Sequence, residues 1–296
     1  MEKMAQYALL AGTLSTALAL IAYLFYAFSG VRAARLAAAG VSMSTGRIGL
    51  VSGPRTASIG VYASLLGWLA FAFLGASLIF RTIATGHGPF SNMYEFSIAF
   101  AWGILGAYLW FERTYHQRVL GLLVLPIALA LLLYAMYFAG GGGIEPLVPA
   151  LQNNLLLSVH VATAIVAYGT FTIAFAAALL YVAQPETGRW GLPKPAILDE
   201  IGYRAIVIGF PFLTLTIVLG ALWADVAWGR PWGWDPKETA SLVTWFIYGA
   251  YLHARVVRGW RGNKAAILLM VGFGATLLTY FGNYFFGGLH SYGGLG

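Results

Sequence analysis

Residues 119–139 read VLGLLVLPIALALLLYAMYFA, a stretch without one charged side chain. A helix of that length rises about 30 Å, the thickness of a bilayer's hydrocarbon core. Stretches of similar character recur at about 5–28, 57–80, 93–111, 154–183, 201–223, 240–258 and 264–286. In lipid every backbone polar group must be satisfied within the segment, so each stretch is expected to be helical. The pattern predicts an all-α, polytopic transmembrane helix bundle of about eight spans. Composition agrees, with 60% hydrophobic and only 9% charged residues, against roughly 25% charged in soluble chains. No polar segment is long enough for a separate soluble domain, so residues 1–296 are expected to form a single membrane domain. The first stretch is too long for a signal-peptide core and reads as a retained span. Pro126 and Pro211 fall inside spans and predict local kinks.

Charge sets the expected orientation. One set of connections holds Arg32, Arg35, Arg47, Arg55, Arg113, Arg118, Arg189, Lys194, Arg255, Arg258, Arg261 and Lys264. The opposite set, with both termini, holds Lys3, Arg81, Arg230 and Lys237. The imbalance makes the first set cytoplasmic and puts both termini outside. The net charge of +7 lies mostly in these short loops and sets topology, with no stripe for nucleic acid. Cysteine is absent, which excludes disulfides, thiolate ligands and cysteine nucleophiles within the chain.

This topology sorts the histidines. His160 lies near the outer end of the fifth span, and His290 lies just past the last. Two imidazoles at one depth suit paired axial ligation of a haem iron; the competing reading is local hydrogen bonding in a half-wet interface. His253 falls in the inner half of the seventh span, where an ionisable side chain is costly and marks either a ligand or a satisfied buried residue. His87, in an outer connection, is a gating residue or a solvated one. His116 reads as a solvated loop residue.

The outer segment 223–238, WADVAWGRPWGWDPKE, carries four of the chain's ten tryptophans. Such rings form interfacial belts, but at this density Trp228, Trp232 and Trp234 could also floor a flat apolar ligand. Arg230 and Lys237 are candidate partners for a ligand's carboxylates. Asp235, Pro236 and Glu238 have the spacing of an N-cap, first helical residue and capping box, a structural role. Asn92 and Glu95 repeat that spacing before the third span.

The run WADVAWGRPWGWDPKET followed by TWFIYGAYLHAR closely resembles the WWD-domain signature of the CcsA (ResC) family, haem-handling membrane proteins of System II cytochrome c maturation. The segments GHGPFSNMYE and GLHSYG are also similar to that family, and the resemblance covers most of residues 81–296. It implies that His160 and His290 are axial ligands of haem at an outer site. It further implies that His253 is one ligand of a second haem within the membrane, the other coming from a CcsB (ResB) partner. The implied cargo is haem b, the implied protein substrate is an apocytochrome c with a C-x-x-C-H motif, and the implied activity is that of a subunit of a cytochrome c synthase. The implied location is a bacterial cell membrane, or a thylakoid membrane in organelles. Asp225, Pro231 and Ala240 depart from the family pattern in details of the tryptophan platform. Rival readings are a cytochrome b-type electron-transfer subunit and a haem exporter without ligation activity.

Overall fold

The computed structural model describes residues 1–38, 54–139, 143, 151, 154–185 and 192–290. Among them are eight α-helices and no strand: α1 (Glu2–Ala38), α2 (Pro54–Thr85), α3 (Met93–Tyr115), α4 (Gly121–Tyr137), α5 (Asn154–Val182), α6 (Pro195–Trp228), α7 (Pro236–Val257) and α8 (Asn263–Phe285). Each corresponds to one expected span, with ends that differ by up to about ten residues in α1 and by at most two in α4, α5 and α8. Six are long and apolar enough to cross a membrane by length and composition. The other two, α3 and α7, are 23 and 22 residues long but carry charged residues toward their ends, including Glu95, Glu112, Lys237 and Arg255. The chain is a multi-pass helical membrane bundle. Arg47, Arg189 and most of the Gly140–Gly143 turn lie outside the described residues.

Several helices outrun the expected spans because nothing in the sequence stops them at the hydrocarbon edge. α1 continues ten residues past 28 through Arg32 and Arg35. α6 starts with Pro195 as its first helical residue and ends only at Gly229, which takes the left-handed conformation at φ 69°. The first part of the tryptophan segment, through Trp228, is therefore helix, and only 229–235 is a connection. Pro126 and Pro211 sit inside α4 and α6 as expected.

α5 is central, packed against α3, α6 and α8. Its small residues let backbones approach, as is usual between membrane helices. At the α3–α5 crossing, a Cβ on Gly169 would lie 2.9 Å from the Gly103 carbonyl oxygen. Hydroxyl pairs join other helices: Ser97 with Tyr280 at 3.0 Å, Thr163 with Thr216 at 3.0 Å, and Thr244 with Thr279 at 3.0 Å.

The two ends of the bundle differ. At one, Arg255 forms a two-pronged pair with Asp199 at 2.9 and 2.6 Å and donates to the Trp260 carbonyl at 3.0 Å. Glu112 accepts from the hydroxyls of Tyr23 and Ser64, with Arg118 3.4 Å away. At the other end lie the start of α1, the ends of α2, α6 and α8, and the starts of α3, α5 and α7. Arg81, expected in a loop there, is instead 5% exposed within α2, which runs on to Thr85. It pairs with Glu95 at 2.8 Å and donates to the Gly143 carbonyl at 2.7 Å.

Candidate functional site

The tryptophan connection is pinned where α7 begins. The Asp235 carboxylate accepts from the Lys237 backbone N–H at 2.8 Å. Glu238 accepts from the backbone N–H groups of Asp235 at 3.1 Å and Gly233 at 2.8 Å. This is the expected capping box. At α3, Asn92 caps the Glu95 N–H at 3.0 Å, as the spacing predicts. The Glu95 carboxylate, however, turns to the N–H and hydroxyl of Ser91 at 2.8 and 2.7 Å and to Arg81.

Beneath this connection lies a cavity between the helices. His160 and His290 both line it, as do Trp223, Trp232, Lys237 and Tyr168. The His160 Nδ1 is 2.8 Å from the Thr216 carbonyl oxygen. The His290 Nδ1 is 2.9 Å from Asp235 Oδ1. Both acceptors call for Nδ1–H, so in each ring Nε2 is the atom that can serve as a metal ligand. Trp223, 2% exposed, lies between them, with ring centroids 6.5 Å from His160 and 6.0 Å from His290. Two glycines permit the arrangement. A Cβ at Gly220 would lie 2.8 Å from the His160 ring, and one at Gly288 would lie 2.2 Å from Asp235 Oδ2.

Burial pushes the His290 imidazole below its usual value near 6.5, with Lys237 adding to the effect and the Asp235 hydrogen bond opposing it. Burial alone would raise Asp235, but His290 and the Lys237 N–H hold it well below the usual carboxylate range. The folded chain thus holds the His290 proton less tightly than the unfolded chain. Its contribution to stability is complete above about pH 6.5 and declines as pH falls toward the lower folded value. Asp235 has the same sign, its contribution fading only in stronger acid. Acidification from pH 7 to 5 is expected to speed amide exchange in residues 286–290; unchanged exchange would contradict this.

The other expected site residues divide. Trp232 and Lys237 line the cavity. Trp228 supports it from behind, edge-on to His290 at 4.9 Å and to Trp223 at 4.8 Å. Trp234 does not line the cavity and is 69% exposed, in a left-handed backbone conformation at φ 58°. Arg230 is exposed and folds over Gly233, away from the cavity lining. His253 is exposed on α7, toward the opposite end of the bundle. His87 sits outside the cavity, with Nδ1 2.8 Å from the Gly88 carbonyl oxygen. Sequence reasoning placed Trp223 only at the edge of the segment, and gave Gly220 and Gly288 no part.

Among the described residues, no group of three or more His, Cys, Asp or Glu could enclose a metal ion. Two imidazoles beside flat aromatic rings and a lysine instead suit a haem, whose porphyrin supplies the other four ligands. Residues 90–290, which contain this whole site, match the family model described as cytochrome C assembly protein. The chain belongs to the cytochrome c assembly family, in its CcsA branch. It is 36% identical over 274 residues to the cytochrome c biogenesis protein CcsA of Synechococcus elongatus, covering 75% of this chain and 83% of that one. The CcsA of Gloeobacter violaceus is 35% identical, over 79% of this chain and 92% of its own. That of Chlamydomonas reinhardtii is 39% identical, over 73% and 64%. Membership in the CcsA family gives the protein a role in cytochrome c biogenesis, which implies the handling of haem.

Proposed function

We propose that the chain holds haem b between His160 and His290 at the outer membrane face and presents it to an apocytochrome c, as one subunit of a cytochrome c synthase. The observation that carries this is the shared cavity, lined by both imidazoles, each oriented by a hydrogen bond at Nδ1. In the reaction each thiol of a C-x-x-C-H segment adds across a haem vinyl group. Sulfur bonds to one vinyl carbon and hydrogen to the other, so no leaving group is needed. The chain has no cysteine, so both sulfurs come from the substrate. Trp223 and Trp232 exclude water and bound the ring, and Lys237 is placed to meet a haem carboxylate.

Charge supports the orientation. The cavity end of the bundle is poor in exposed cations and the Arg255–Asp199 end is rich in them, as expected for outside and inside. In a bacterium this is the cell membrane; a thylakoid is the organellar equivalent. His253, exposed on α7, supports a second, inner haem ligand set completed by a CcsB (ResB) subunit, since an ionisable side chain within a membrane span is costly.

The test is to purify His160→Ala and His290→Ala variants with any co-purifying subunit and record absorption spectra. Each is expected to lose the bis-imidazole signature of the outer haem. Wild-type haem content and spectrum in both would sink the assignment.

A further inference from the structure

We propose that Asp235 is a positioning residue for the haem iron, acting through His290 to make it the stronger of two unlike axial ligands. The inference rests on the haem reading above. Sequence spacing explains Asp235 as an N-cap, and the structure contains that cap. Capping, however, does not require a carboxylate, because asparagine and serine cap equally well.

The same oxygen does more than cap. Asp235 Oδ1 meets both the Lys237 N–H at 2.8 Å and His290 Nδ1 at 2.9 Å. Asp235 is 5% exposed, and its Oδ2 receives no hydrogen bond among the described residues. The backbone N–H groups of Lys237 and Leu289 also draw on the carboxylate, but neither carries a full charge as a protonated or metal-bound imidazole would. The approach is built in: the tail backbone at Gly288 runs so close to the carboxylate that any Cβ there would collide with it. His160, by contrast, has only the neutral Thr216 carbonyl at its Nδ1, 2.8 Å away.

A carboxylate partner makes an imidazole a more basic ligand than a carbonyl does, and fixes its tautomer and ring orientation. Stronger donation stabilises ferric iron relative to ferrous and lowers the reduction potential. The site thus pairs one carboxylate-backed ligand on the tail with one carbonyl-backed ligand in the helix bundle.

The experiment uses the purified full-length chain with any co-purifying membrane subunit. Ferric haem affinity and midpoint potential are measured for wild type, Asp235→Asn and Asp235→Ser. All three residues cap the helix. Asparagine keeps a neutral acceptor for Nδ1, whereas serine is too short to reach it. Asp235→Asn is expected to weaken ferric haem binding by roughly 10–100-fold, the usual cost of losing such a partner, and to raise the potential. Asp235→Ser is expected to raise it further. Equal potentials and affinities in all three would reduce Asp235 to a cap and overturn the proposal. Failure of the underlying reading looks different: His290→Ala would then leave the haem spectrum unchanged.

Discussion

Replacing Glu95 by alanine is expected to cost about 3–5 kcal/mol, the range found when one partner of a buried ion pair is removed. The Glu95 side chain is 1% exposed and accepts from Arg81 at 2.8 Å and from Ser91 twice. Without it, the Arg81 guanidinium keeps its charge, with a side chain only 6% exposed, and loses its carboxylate. The Ser91 N–H loses its acceptor as well. The damage reaches the site, because the start of α3 supplies Met93 and Phe96 to the histidine cavity. Unfolding in detergent micelles measures the loss as a lower transition midpoint. The double variant Arg81→Met/Glu95→Met is expected to recover most of it, since apolar replacement of a whole buried pair is often neutral. A single Glu95→Ala variant as stable as wild type would show that the pair contributes little.

Gly220→Ala is expected to weaken haem binding by at least about tenfold, the lower end for a disturbed metal-ligand environment, while the bundle stays folded. The new methyl would lie 2.8 Å from His160 Cε1 and 3.1 Å from Nδ1. The ring has little room to retreat, held by the Thr216 carbonyl on one edge and by Trp223 stacked at 13°. Helix propensity works the other way, since alanine in a helix is favoured over glycine by about 1 kcal/mol. A loss of haem without a loss of stability is therefore diagnostic of the collision. Gly274→Ala is the matched control, a glycine in α8 whose added Cβ meets nothing within 4 Å. If Gly220→Ala binds haem with wild-type affinity and spectrum, His160 is not held where the cavity requires it.

The amino-acid sequence alone determined the helical membrane class, the count of spans and the starts of α3 and α7. Those features depend on apolar run length and on side chains within four residues of one another, such as Asn92 with Glu95 or Asp235 with Glu238. It also placed His160 and His290 at one end of the bundle, because alternation of spans follows from their number.

Tertiary structure decided what those residues do together. The His290–Asp235 bond joins positions 55 residues apart, and no local pattern encodes it. The roles of the tryptophans turned on where α6 stops. Ending the span at 223 would have left every tryptophan of the segment on one loop. Continuing the helix to Trp228 buries Trp223 between the histidines and sets Trp228 behind them. The short connection that remains turns at Gly229 and Trp234, whose positive φ angles direct Trp232 into the cavity and leave Trp234 in the open. α6 ends only where Gly229 takes the left-handed conformation. Gly220 depends on the tertiary structure too, since its missing side chain has meaning only once His160 occupies its space.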